Sequence, residues 1–231
     1  SIMYVNNEVG TVQPVQEAAR LVKQYKPSIL FHTDAVQGYG KYRIYPKRMG
    51  IDLLTASGHK IHGPKGIGFL YIDSRVKIRP IVFGGEQQKN IRSGTENVPG
   101  IAGLGLASKM IYQDLEMKTA LMRELKSRFI EGISKIENTT IHGFADEGSA
   151  PHIISVGVAG VRSEVLLHTL EDKGIYVSSG SACSSNHPSV SGVLKGIGAA
   201  REYLDATLRF SMSEFTTKEE IDYTLETLYN C

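Results

Sequence analysis

The sequence predicts an α/β fold. A large domain, residues 1–105, would be built on a mostly parallel sheet, and a smaller carboxyl-terminal α+β domain would follow over residues 106–231. Three observations predict it. Apolar strand-like runs alternate with a helical stripe in the first part of the chain. A long stretch of helical periodicity follows Pro99. Beyond that stretch, short strand and helix patterns restart on a smaller scale.

In chain order, strands are expected at 2–5, 29–33, 51–56 and 67–72. A helix over 15–25 starts behind Pro14 and carries the stripe Val15, Ala18, Ala19 and Val22. Residues 73–98 change character, with Arg79-Pro80, the turn Gly84-Gly85 and a polar loop from Gln87 to Asn97. After Pro99, Ile101, Leu104, Ile111, Leu121, Leu125, Phe129, Ile133 and Ile136 recur at helical spacing, which reads as one long helical region linking two domains. The smaller domain is expected to hold strands at 139–142, 152–158, 175–179 and 206–212, and helices at 163–173, 189–197 and 217–229. Gly174 would stop the first of these helices, and Thr217 with Glu220 would form a capping box on the last.

Composition bounds the function. The chain has 231 residues, a net charge of +2 and seven histidines, with no basic run that would make a nucleic-acid footprint. Two cysteines, Cys183 and Cys231, are too few for a disulfide framework and point to a reducing compartment, so a cytoplasmic protein is expected. No apolar run approaches a membrane span and no signal peptide is visible. The chain opens directly on a strand pattern with no initiator Met, which reads as a fragment of a longer polypeptide.

The chemistry centres on residues 57–66, Ser-Gly-His-Lys-Ile-His-Gly-Pro-Lys-Gly. An apolar strand that ends in Ser57, Gly58, His59 and Lys60 places a lysine at the carboxyl end of a sheet, where open α/β sheets bind ligands. Upstream, Asp34 ends a matching apolar run. A lysine and an aspartate on adjacent strand ends suit pyridoxal phosphate: the amine holds it as a Schiff base and the carboxylate keeps its ring nitrogen protonated. Taken singly, a surface lysine and a turn aspartate explain either motif as well.

A second signal is the run 178–186, where small residues surround Cys183 with no apolar side chain larger than Ala. Burial is hard to arrange there, and a cysteine on an exposed loop can act as a nucleophile or carry sulfur. Cys231 has no such surroundings and reads as a structural residue of the last helix. A zinc site combining Cys183 with His187 has the wrong ligand count and spacing. Residues 6–10 offer polar side chains at the end of the first strand, and residues 92–97 hold an Arg, two hydroxyls and a Gly suited to phosphate or carboxylate. Arg209 interrupts an alternating strand; it could grip a substrate carboxylate or pair with an internal acid.

In order along the chain, VNNEVGTVQ, HTDAVQG, SGHKIHGPKG, RSGTEN, SSGSACSS and LRFSMSEFTTKEEID resemble cysteine desulfurases of the NifS/IscS type. These are pyridoxal-phosphate enzymes of the aspartate-aminotransferase fold (fold type I), in the class-V aminotransferase family, and the resemblance runs from the first residues to the last. It implies that Lys60 carries the cofactor and shuttles protons, and that Asp34 pairs with the pyridinium nitrogen. Gln37 and Asn7 would contact the region of the phenolic oxygen, and Ser57 and His59 would bind the phosphate. Thr95 would reach the phosphate of the partner subunit in an obligate homodimer. Cys183 would take sulfur from L-cysteine as a persulfide, leaving L-alanine, and Arg209, beside Asn7, would hold the substrate carboxylate. The persulfide would pass to a sulfur-acceptor protein, an iron–sulfur scaffold or a tRNA-thiolation enzyme. Alternatives are a selenocysteine lyase, another small-molecule aminotransferase, or a non-catalytic scaffold that keeps the fold. Family members carry an earlier segment with a phosphate-binding loop and a histidine that stacks on the ring. No histidine here occupies that position, so the missing segment is an expected partner and the chain by itself is expected to be inactive.

Overall fold

A computed structural model describes residues 1–179 and 191–231; Cys183 and the first residues of the helix expected at 189–197 lie outside the described residues. The chain divides into two compact units. One comprises Ser1–Tyr4 and Gln13–Leu115, the other Val5–Val12 and Glu116–Cys231. The division expected at 105/106 falls inside a helix.

The first unit contains β1 (Ile2–Met3), α1 (Val15–Tyr25), β2 (His32–Asp34), α2 (Pro46–Met49), β3 (Leu53–Ser57), a 3-10 turn over Gly58–Ile61, β4 (Gly68–Ile72), α3 (Gln87–Asn90) and α4 (Val98–Tyr112). Its sheet runs β1-β2-β3-β4. β1, β2 and β3 are parallel, and β4 returns antiparallel to β3. The reversal has a simple cause. A parallel return needs a crossover of about a dozen residues or more, and only the turn and residues 62–67 separate β3 from β4. α1 follows Pro14 and buries Val15 and Ala19 against Phe31, Ala35, Ile51, Leu54 and Ala56. A smaller cluster of Ile61, Leu104 and Ile111 seats the 3-10 turn on α4.

The apolar run before Asp34 was expected to be strand from residue 29. Pairing begins only at His32, opposite Leu53. The reason is Asp52, whose buried carboxylate takes the Phe31 N–H at 2.7 Å and the Lys23 ammonium. With its amide bound to a side chain, Phe31 cannot donate to the ladder, and Ile29 and Leu30 stay exposed.

The second unit holds α5 (Leu115–Ile133), β5 (Thr139–His142), β6 (Ile153–Val158), α6 (Ser163–Glu171), β7 (Ser178–Ser179), α7 (Gly192–Gly196), β8 (Thr207–Ser211) and α8 (Lys218–Tyr229). Its sheet, β5-β6-β8-β7, is antiparallel throughout. Leu125, Phe129 and Ile133 of α5 pack with Ile154, Val156, Leu208 and Phe210 of the sheet and Leu170 of α6. The single long helical region expected after Pro99 is two helices: α4 ends at Tyr112, Gln113 is extended (φ −68°, ψ 125°), and Asp114 takes a left-handed conformation (φ 54°) before α5 begins. Gly174 does close α6: at φ 76° it donates to Glu171 O at 2.8 Å while Ile175 N reaches Leu170 O at 2.9 Å, the paired bonds of a Schellman cap. Thr217 and Glu220 form the expected capping box on α8. Cys231 is not the structural helix residue expected. It would have shared the buried face of Leu228, three residues back, but α8 stops at Tyr229 and leaves it exposed. Among the described residues, no helix is long and apolar enough to cross a membrane.

Gly40 combines a left-handed backbone with a close approach to two buried side chains. At φ 75°, a Cβ there would lie 2.8 Å from Ile61 Cγ2 and 2.9 Å from Ile111 Cγ1. We expect Gly40→Ala to destabilise the protein by about 2 kcal/mol or more, from overpacking and an unfavourable φ together. A urea midpoint equal to wild type would contradict this.

Candidate active site

In the first unit, β2 and β3 run parallel with Asp34 opposite Thr55. Asp34 is the last residue of β2 and Ser57 the last of β3, so both strands deliver polar side chains to the same carboxyl-terminal edge. The Asp34 carboxylate is oriented by the Val36 N–H, which donates to Oδ1 at 2.9 Å. Behind it the backbone folds tightly, with the amides of Gly38 and Tyr39 both donating to Ala35 O. Gln37 sits half-buried in that fold.

At the end of β3 the chain enters the 3-10 turn. Residues three apart share a face in such a helix, so Gly58 and Ile61 go inward together and His59 and Lys60 remain exposed. The turn is pinned by Gly58 N to Ile67 O and Gly63 N to Gly58 O, each 2.9 Å. Gly58 is confined: a Cβ would stand 3.1 Å from the carbonyl oxygens of both Ile67 and Pro64. Ser57 Oγ and His59 Nδ1 are 2.8 Å apart and share a hydrogen bond. One edge thus gathers a carboxylate, a primary amine, a hydroxyl and an imidazole. That donor set can pair with a protonated ring nitrogen, condense with an aldehyde and bind an anion. Thr95 stands apart in an exposed segment whose bonds are internal, such as Ser93 Oγ to Gly85 O at 2.8 Å and Gly94 N to Gln87 Oε1 at 3.1 Å.

The second unit holds Asn7 and Arg209. Asn6 builds the turn that carries Asn7: its Oδ1 accepts from Glu8 N at 2.9 Å and Val9 N at 3.0 Å, and Gly10 N returns to Asn6 O. Arg209, on β8, lies opposite Ser155 of β6 and Ser178 of β7. Its Nη1 donates to Asn7 O at 2.8 Å and its Nη2 to Ser178 Oγ at 3.1 Å. Both of these acceptors are neutral oxygens.

Glu8, from the polar run 6–10, and Ser191, which none of the sequence motifs contains, complete the cluster. Ser191 caps α7 by accepting from Val193 N and Leu194 N, and it donates to the carboxylate of Glu8. Residues 178 and 191, which flank 180–190, are therefore each tied to this cluster, one through Arg209 and the other through Glu8. A Ser before Gly-Val-Leu signals a helix cap, but nothing local in the sequence points to Glu8 as its acceptor. Cys183 lies outside the described residues.

The chain belongs to the class-V aminotransferase family, whose pattern it matches over residues 1–224. A cysteine desulfurase IscS of Methanosarcina thermophila is 43% identical over 226 residues, which are 98% of this chain and 55% of that protein. A mitochondrial cysteine desulfurase of Eremothecium gossypii is 42% identical over 99% of this chain and 46% of its own length. A solved structure of a NifS-like protein superimposes with a TM-score of 0.91 at 36% identity, over 99% of this chain and 59% of that one. The fold is therefore that of the NifS-like enzymes, α/β fold type I. The chain spans about half the length of the curated relatives it matches.

Proposed function

We propose that this chain is part of a pyridoxal-phosphate-dependent cysteine desulfurase. The observation that carries the reading is Lys60 on the turn directly after β3, at the same sheet edge as Asp34 at the end of β2. The donor set fits the cofactor: Asp34 for the ring nitrogen, Lys60 for the aldehyde, Ser57 and His59 for the phosphate, and Gln37 with Asn7 for the phenolic oxygen. Thr95 would reach the phosphate bound by the second subunit of a homodimer. When bound, pyridoxal phosphate supplies an electron sink for the substrate Cα.

The chain's own residues would do the rest. Arg209 presents a planar fork to the carboxylate of L-cysteine, beside Asn7. The Lys60 amine takes and returns the proton at the substrate Cα. The Cys183 thiolate attacks the substrate sulfur; an S–S bond forms, the C–S bond breaks, and L-alanine leaves after protonation. The persulfide on Cys183 is then open to a sulfur-acceptor protein that serves iron–sulfur assembly or tRNA thiolation. A reducing compartment such as the cytoplasm suits a nucleophile that must stay a thiolate between turnovers. The names of the desulfurase relatives support the reaction, and the placement of Lys60 and Asp34 supports the cofactor.

In the full-length enzyme, Lys60→Ala should abolish the yellow colour and the activity, whereas Lys65→Ala should keep both, because Lys60 is the amine that would hold the cofactor. The reverse pattern would refute the assignment of Lys60. Cys183→Ser should bind the cofactor normally yet stop alanine formation from L-cysteine. Alanine production within a few-fold of wild type would remove the desulfurase reading and favour a lyase that releases sulfide unaided. Arg209→Lys should raise KM for cysteine and leave the cofactor spectrum unchanged, since an ammonium cannot reproduce two parallel hydrogen bonds. Loss of folding in that variant would mark Arg209 as a purely structural residue.

A further inference from the structure

The middle of α5 carries a buried lysine. Lys126 is 5% exposed, and its ammonium donates to Ser149 Oγ at 2.6 Å, Ala150 O at 2.8 Å and Ile153 O at 2.8 Å. An ammonium has three donors, so all three are used, and every acceptor is neutral. Burial, with a smaller push from the Arg123 charge, brings the amine down to about 8. A buried cation is weak evidence for stability, because an apolar side chain of similar size would avoid the desolvation penalty. The geometry it imposes is the more informative property.

The backbone that Lys126 grips supports the turn carrying Asn7. Ala150 N donates to Gly10 O and Val12 N to Gly148 O, each at 2.8 Å, and Thr11 bridges to Ser149. Gly10 packs so closely on Ile153 that a Cβ would lie 3.1 Å from the Ile153 carbonyl oxygen. The same turn presents Asn7 O to Arg209 Nη1, and β6, which begins at Ile153, pairs with β8 at Ser155 and Arg209. Side chain, strap, turn and guanidinium form one continuous set of contacts within the second unit.

We propose that Lys126 is a positioning residue: acting through residues 148–153 and the turn at residues 6–12, it holds the Arg209 guanidinium in the orientation that receives the carboxylate of an amino-acid substrate. The proposal rests on the reading of Arg209 as the carboxylate-binding residue. It adds a buried residue whose nearest acceptor in sequence, Ser149, is 23 positions away.

The test compares Lys126→Met, Lys126→Arg and Ser149→Ala with wild type in the full-length holoenzyme. It uses steady-state kinetics with L-cysteine and hydrogen exchange at single amides. For Lys126→Met we expect KM to rise about tenfold with kcat within about twofold. Exchange at Val12 and Ala150 should accelerate about tenfold or more, with Phe129 on α5 unchanged. Lys126→Arg, which keeps a cation with several N–H donors, should recover most of both effects, and Ser149→Ala should fall between. A KM within about twofold of wild type for Lys126→Met overturns the proposal, and so does uniform acceleration of exchange across the second unit. If Lys126→Met does not fold, unchanged KM and unchanged Val12 exchange in Ser149→Ala overturn it instead. Should wild type fail to make alanine from cysteine, the desulfurase reading fails on its own. The exchange data then still decide whether Lys126 holds the turn.

Discussion

Asp52 sets the register on which the first unit depends. Its side chain takes the Phe31 amide, while its own amide and that of Leu53 donate to Phe31 O at 2.9 and 3.1 Å. These bonds fix where β2 and β3 begin to pair and so determine that Asp34 lies opposite Thr55. A slip of one residue would turn every side chain of β2 to the other face of the sheet. Asp34 would then leave the edge it shares with Ser57, His59 and Lys60. The buried carboxylate is matched by the Lys23 ammonium, which also donates to Ile29 O, so α1 is tied to the same point.

The second unit uses a buried charge differently. Lys126 has carbonyls and a hydroxyl as partners, and it organises irregular backbone where Asp52 aligns two strands. That backbone cannot join a ladder, so its polar groups must find partners elsewhere. The turn at residues 6–12 supplies several of them, and the result is a hydrogen-bonded platform that includes Asn7 and Arg209. Glu8 and Ser191 extend the platform to the start of α7.

Much of this was legible in the sequence where the signal is local. The stripe on α1, the Gly174 stop and the Thr217–Glu220 box depend on residues within a few positions of one another, and each formed as expected. The start of β2 was not legible, because the side chain that removes Phe31 from the ladder comes from 21 residues away. Nor was the break before α5, since an aspartate adopts a left-handed conformation too rarely to be forecast from one position. The same distinction applies at the site. Lys60 and Asp34 could be picked out because strand ends are visible as composition changes, whereas Glu8 and Lys126 act through partners that only the fold brings near.

The span of those partnerships bears on how the protein acquires its structure. The bond from Arg209 to Asn7 closes a separation of 202 residues, and that from Ser191 to Glu8 one of 183. The entropy of closing such loops grows only slowly with length, but contacts of this separation slow the approach to the native state. On the ribosome, where chains grow at about 5–20 residues per second, residues 5–12 emerge long before the strand that completes their surroundings. They wait as an unpaired turn while the first unit gathers its sheet around β2 and β3. The surroundings of Asn7 are therefore completed late, and a chain stalled before β8 would hold the turn at residues 6–12 without the guanidinium that donates to Asn7 O.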